Sequence, residues 1–177
     1  MSTGSEAHAS VPPGGMRWRY EVRPEDREAV RRIVHSSGFF SPAEIDVAVE
    51  LVDERLCQGE ASGYYFVFAD DAQGRTWGYT CYGPIAVTHG SFDLYWIAVD
   101  HEYRGRGLGK RLLAESERLM AAAGGRRVYV ETSTKHQYTP TRRFYERCGY
   151  PLEAVLKEFY APGDDKAIYV KALTASR

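Results

Sequence analysis

Long hydrophobic runs are missing from this sequence, and none approaches the roughly 20 apolar residues of a membrane-spanning helix. No membrane association is therefore expected. An excess of charge is missing too: 23 basic against 24 acidic side chains give a formal net charge of −1. A chain so balanced offers no broad basic surface to a nucleic acid or another polyanion. Cysteine is sparse, with Cys57, Cys81 and Cys148 far apart and odd in number. That pattern suits neither a disulfide framework nor a zinc site, so no metal is expected and a reducing cytoplasm is the expected location.

Aromatic residues, by contrast, are plentiful, with 13 tyrosines in 177 residues, a length that suits one ordinary domain. Residues 1–16 are rich in Ser, Gly, Ala and Pro and lack the basic start and apolar centre of a signal peptide. They read as a disordered tail ahead of a single domain spanning residues 17–177.

Within that domain a first strand is expected over Trp18 to Arg23, with Pro24 opening a helix through Ile33 and Val34. Ser41-Pro-Ala-Glu44 forms a capping box, after which Ile45, Ala48, Val49, Val52 and Leu56 recur at helical spacing up to Gly59. Tyr64 to Ala69 and Thr76 to Tyr82 read as a hairpin around Asp-Asp-Ala-Gln-Gly-Arg. In the next strand, strict alternation puts Phe92, Leu94, Trp96 and Ala98 on one face and Asp93, Tyr95, Ile97 and Val99 on the other. A helix follows over Gly107 to Ala123, with Leu108, Leu112, Leu119 and Ala123 on its apolar face. A strand from Arg127 to Thr132, a helix from Thr141 to Cys148 capped at Thr139-Pro140, and strands near Leu152–Tyr160 and Lys166–Leu173 complete the chain. The order is β-α-α-β-β-β-α-β-α-β-β, a mixed α/β domain.

Between the strand Phe92 to Val99 and the helix after it lies Arg104-Gly-Arg-Gly-Leu-Gly-Lys110. Strand, glycine-rich turn and helix together make a phosphate cradle: the ligand meets bare backbone, free N–H groups and the positive end of a helix dipole. A nucleotide-triphosphate loop would need Gly-Lys-Ser/Thr, and here Lys110 is followed by Arg111. A dinucleotide fingerprint would need Gly-x-Gly-x-x-Gly, whereas Gly105, Gly107 and Gly109 alternate. A turn of this kind can simply reverse the chain; Arg104 and Lys110 on its two sides favour an anion site.

Arg104-Gly-Arg-Gly107-Leu-Gly109 resembles the Arg/Gln-x-x-Gly-x-Gly/Ala signature of the GCN5-related N-acetyltransferases (GNAT), the lead-in Trp-Ile-Ala-Val-Asp100 resembles their preceding strand, and Phe144-Tyr145-Glu-Arg-Cys-Gly149-Tyr150 resembles their later motif. The resemblance runs from about Trp18 to Leu173. It implies a central, mostly antiparallel mixed sheet of about seven strands flanked by about four helices. It also implies acetyl-coenzyme A as co-substrate and direct transfer of the acetyl group to a primary amine in a ternary complex. Backbone groups of Ile97, Ala98 and Val99 would hold the pantetheine arm; Arg104, Gly105, Arg106, Gly107, Leu108, Gly109 and Lys110 would hold the pyrophosphate. Where many members carry a coenzyme-contacting asparagine this chain has Tyr138, and further contacts are expected at Tyr138, Thr141 and Tyr145. Tyr145 matches the tyrosine that protonates the departing thiolate, and a carboxylate at Asp93 or at Glu131 would serve as general base.

For the acceptor, Ser37 to Ser41, Trp77, Tyr79, Tyr82 and Tyr95 could supply aromatic walls, with Glu158, Asp164 and Asp165 drawing in a cationic amine. A small-molecule or amino-acid-like amine is expected, with a peptide N-terminus or lysine as the alternative and a homodimer possible. A coenzyme A–binding sensor without catalysis is the reading from another class.

Overall fold

The computed structural model describes residues 15–173. Most of the expected tail therefore lies outside the described residues; Met16, however, is buried in the core and belongs to the domain. Among the described residues seven strands form one sheet in the order β1-β2-β3-β4-β5-β7-β6, and four α-helices flank it. The strands are β1 (Arg17–Arg19), β2 (Tyr65–Asp70), β3 (Thr76–Pro84), β4 (Ser91–Val99), β5 (Arg127–Ser133), β6 (Leu152–Ala161) and β7 (Asp164–Ala172). The helices are α1 (Asp26–Ser36), α2 (Pro42–Gln58), α3 (Leu108–Ala122) and α4 (Thr139–Arg147). Every strand pairing is antiparallel except β4 with β5. The expected fold and element order are those observed.

Two apolar layers cover the sheet. Val30, Ile33 and Val34 of α1 and Ile45, Ala48, Val49 and Val52 of α2 pack on Phe66, Phe68, Tyr79, Cys81 and Ala98. On the other face, α3 and Tyr145 of α4 pack on Phe92, Leu94, Val128 and Val130. The α2 capping box forms as expected: the Glu44 N–H donates to Ser41 Oγ, and the Ser41 N–H donates to the Glu44 carboxylate.

Four local expectations fail. β1 stops at Arg19, whose guanidinium turns inward to bond Asp70 of β2 at 2.6 Å and Asp26 of α1 at 2.8 Å. On α3 the buried line is Leu108, Leu112, Leu113, Ser116 and Met120; Ala123 lies outside it, because the helix ends at Ala122 and leaves Ala123 as an exposed C-cap. Glu115 on the same helix is fully buried, accepting from Tyr20 Oη at 2.8 Å and pairing with Arg118. Thr139 is the first residue of α4 rather than its cap, since a 3-10 turn over His136–Tyr138 precedes it.

The fourth failure shapes the site. The β3–β4 register shifts between Cys81 and Tyr82, so that Leu94 opposes Tyr82, Trp96 opposes Cys81 and Tyr95 is left over as a bulge. One extra residue inverts the alternation beyond it. Phe92 and Leu94 face the α3 layer, but so do Ile97 and Val99, whereas Trp96 and Ala98 face α1 and α2. Asp93 therefore lies on the opposite face from Ile97 and Val99, not on theirs.

Candidate active site

Pairing between β4 and β5 covers only Ser91 with Arg127, Phe92 with Val128 and Asp93 with Tyr129. Beyond that point β4 continues along β3 and β5 along β7, and the two parallel strands part. The bulge at Tyr95 falls where they separate, as expected from the local twist a bulge adds. The gap opens a cleft of about 920 Å³ lined by Ile97, Ala98 and Val99 of β4, Glu131, Thr132 and Ser133 of β5, and Tyr138, Thr141, Phe144 and Tyr145 of the following turn and α4. Backbone groups on the β5 side of residues 97–99 have no strand to pair with.

At one end of the cleft stands the glycine loop. Gly105 and Gly107 adopt φ of +76° and +79°, left-handed conformations that favour glycine. Gly107 is the N-cap of α3; it offers no capping side chain, and the first turn of α3 carries no acidic residue. The N–H groups of that turn have no intrahelical acceptor and meet the positive end of the dipole. Gly109 lines the cleft with Phe144 and Val99 close behind it, so even a Cβ there would touch both at 3.6–3.7 Å. This arrangement fits a pyrophosphate. The loop's side chains are more occupied than the sequence suggests. Arg104 Nε donates to the Val99 carbonyl at 3.4 Å and its guanidinium lies over Phe39, while Arg106 lies over Tyr103. Arg104 and Gly105 line the cleft; Leu108 instead fills the core, and Arg106, Gly107 and Lys110 stand outside the cleft wall.

Tyr145 enters from the α3 side. Its ring packs against Phe144, Tyr150 and Tyr169 while its edge lines the cleft, and burial holds its hydroxyl well above the ordinary phenol range. Asp93 and Glu131 project to the opposite face. Burial, reinforced by the Glu131 charge, raises the Asp93 carboxyl above the usual carboxylate range, and Lys166 opposes that rise. Lys166 Nζ lies 2.5 Å from Glu131 Oε2 and 3.5 Å from the Phe159 ring centre. Glu131 lines the cleft; Asp93 is outside its lining, in the last pair before β4 and β5 part, within electrostatic reach of Glu131 and Tyr95, which do line it. Asp93 has no hydrogen-bond or ion-pair partner among the described residues.

The acceptor wall only partly matches expectation. Ser37, Phe39, Phe40, Ser41 and Tyr95 line the cleft. Trp77 instead caps the far end of β3, bonded to Asp71, and Tyr79 and Tyr82 are core residues. The three turn carboxylates are not free to attract an amine: Asp164 is held by Ser133 and Lys135, Asp165 accepts from the Glu158 N–H, and Glu158 accepts from the Gly163 N–H. Trp96, Tyr160 and Lys166 were missed. Strict alternation turned Trp96 the wrong way, and Tyr160 sits in an irregular stretch of β6 that no sequence pattern marks. His136 is exposed and outside this cleft. Among the described residues no helix is long and apolar enough to cross a membrane.

The family model described as Acetyltransferase (GNAT) family matches residues 27–150. A crystal structure from Desulfovibrio desulfuricans, of a protein assigned to the GNAT family of acetyltransferases, is 52% identical, with a TM-score of 0.87 over 90% of this chain and 99% of that one. An aminoglycoside 6'-N-acetyltransferase complexed with coenzyme A gives a TM-score of 0.71 at 18% identity, over 92% of this chain and 99% of that one. The ribosomal-protein-S18-alanine N-acetyltransferase from Escherichia coli gives 0.70 at 18% identity, over 92% of this chain and 96% of that one. At such identities the last two likenesses are of fold alone. The chain matches none of the curated proteins.

Proposed function

The chain belongs to the GNAT family and is an acyltransferase, and from that premise we propose that it transfers the acetyl group of acetyl-coenzyme A directly to the primary amine of a small molecule. The observation that supports the reading is the parting of β4 and β5, which opens one cleft lined by Arg104, Gly105, Gly109, Tyr145 and Glu131, with Asp93 next to Glu131 just outside the lining. Backbone at Ile97, Ala98 and Val99 with no strand on its β5 side suits a pantetheine arm, and the first turn of α3 with Arg104, Gly105 and Gly109 suits the pyrophosphate. Tyr138 and Thr141 border the same channel. When bound there, acetyl-coenzyme A supplies an acyl group already activated as a thioester.

The chain's own part is to manage two protons. An ammonium must lose one before its nitrogen can attack, and Asp93, raised by burial and without a bonding partner, is tuned toward taking it. Glu131 lines the path and adds the negative charge that keeps Asp93 basic. From the other face Tyr145 Oη holds the proton that a departing sulfur requires, and its raised pKa keeps it in the donating form at neutral pH. Acid and base thus enter from opposite faces of the sheet through the single opening between two strands.

Release of free thiol from acetyl-coenzyme A across a panel of primary amines tests the proposal. Amine-dependent release supports it. Tight coenzyme binding by calorimetry with no release for any amine defeats it in favour of a binding module.

A further inference from the structure

On the α1–α2 face of the cleft the geometry points to the kind of amine accepted: a primary amine with a single positive charge, carried on an aromatic or flat apolar body. This deepens, and rests on, the acetyltransferase reading of the same site.

The walls are aromatic and open. Phe39, Tyr95 and Tyr160 are 40%, 41% and 47% exposed, and all three line the cleft. Phe40 packs at a tilt against Trp96 with ring centres 5.0 Å apart, and Phe159 meets Tyr160 edge-on at 5.1 Å. A group of exposed rings from the α1–α2 loop, β4 and β6 around one cavity is surface the fold itself does not need, and such surface marks a binding site. Rings also favour a cation passing over their faces.

Charge sets the second half of the inference. The acidic side chains lining the cleft are already engaged. Glu44 accepts from the Ser41 N–H and Ser41 Oγ at 2.8 Å each, Asp164 pairs with Lys135 at 3.1 Å, and Glu131 pairs with Lys166 at 2.5 Å. Asp93, just outside the lining and beside Glu131 and Tyr95, makes no side-chain hydrogen bond or ion pair among the described residues, and it offers a single carboxylate for a single ammonium. A second ammonium, as in a polyamine or an aminoglycoside, would have to take a carboxylate from a lysine or from the α2 cap and leave a half-buried charge unpaired. A carboxylate on the acceptor finds the lysines of this face engaged as well, and of the two arginines in the lining Arg104 is bonded to the Val99 carbonyl and assigned to the pyrophosphate, while Arg147 belongs to α4. Lys166 is held between Glu131 and the Phe159 ring and Lys135 is held by Asp164, so neither is free to receive it.

The test is kcat/KM for the full-length chain with acetyl-coenzyme A and 2-phenylethylamine, propylamine, phenylalanine, spermidine and kanamycin, read by thiol release. The inference expects 2-phenylethylamine to exceed each of the other four by tenfold or more. It further expects Tyr160→Ala to lower the ratio of 2-phenylethylamine to propylamine about three- to tenfold, the scale of one aromatic contact. Spermidine, kanamycin or phenylalanine equal to or better than 2-phenylethylamine would overturn the acceptor class while leaving acetyl transfer standing. An unchanged ratio in Tyr160→Ala would overturn the aromatic wall. No release with any amine would remove the acetyltransferase reading and this inference with it.

Discussion

Asp93 and Ile97 sit four residues apart on β4 yet face opposite sides of the sheet, because Tyr95 is inserted between them as a bulge. A regular strand would have put them on one face. The inversion lets β4 present apolar Ile97 and Val99 toward the α3 layer and Asp93 toward the acceptor side. Asp93→Asn should therefore remove a proton acceptor without disturbing the coenzyme channel. With Asp93 as the proposed base its carboxylate would be the active form, and wild-type kcat/KM should rise with pH through the raised Asp93 pKa. The variant should lose that acidic limb and drop by about a hundredfold, a typical contribution of one general base. An intact acidic limb in Asp93→Asn would exclude it as the base.

The elements of the fold were legible because their signals are local: the Ser41–Glu44 capping box, the glycines ending helices and the turn residues at Asp71 to Gly74 each act within a few residues. The loop and Tyr145 were legible because motif spacing fixes them on a strand end and a helix face. What escaped is non-local. A bulge is decided by how β3 and β4 match, so no reading of β4 alone finds it. The engagement of Asp164, Asp165 and Glu158 within their own turn depends on β6 and β7 closing over Ser133 and Thr134. Composition made those carboxylates look available; packing makes them structural.

Tyr145 is buried among three other aromatic rings, so its hydroxyl stays protonated beyond the ordinary phenol range. Tyr145→Phe keeps the ring and removes only the hydroxyl. Turnover should fall by about a hundredfold, the lower end for a lost general acid. The dissociation constant of the coenzyme, from calorimetry, should stay within a factor of two or so because the ring packing is retained. Wild-type turnover would remove Tyr145 from the chemistry.

Gly107 caps α3 at φ +79° with nothing within 4 Å of where a Cβ would stand. Gly107→Ala therefore meets no clash; it meets only the left-handed backbone, at about 1–2 kcal/mol. A loop that relaxes away from this conformation re-aims the N–H groups of the first turn. Coenzyme binding should weaken roughly tenfold or more, while Asp93-dependent pH behaviour is unchanged. Calorimetric titration of coenzyme A gives the first readout, and the kcat/KM profile the second.

Arg19 joins three elements by bonding Asp70 and Asp26, with side chains only 11%, 10% and 2% exposed. Removing the arginine strands two carboxylates in a dry setting, so Arg19→Ala should destabilise the fold by roughly 3–5 kcal/mol. Arg27 pairs with Asp53 at a site about half exposed on both sides, and Arg27→Ala should cost about 1 kcal/mol or less. Chemical denaturation of the two variants measures the contrast.

Lys166 and Glu131 act on Asp93 in opposite directions, and each direction can be read in the acidic limb of kcat/KM. The Glu131 charge raises Asp93, so Glu131→Gln should move the limb to lower pH. The Lys166 charge lowers it, so Lys166→Met, which keeps the stem packed beneath Phe159, should move the limb to higher pH. If Glu131 itself were the base, Glu131→Gln would abolish the limb rather than shift it, and Asp93→Asn would leave it in place. The three profiles therefore separate a base at Asp93 tuned by its neighbours from a base at Glu131. Coenzyme affinity, held on the other side of the β4–β5 opening, should be the same in all three proteins and shows that each remains folded.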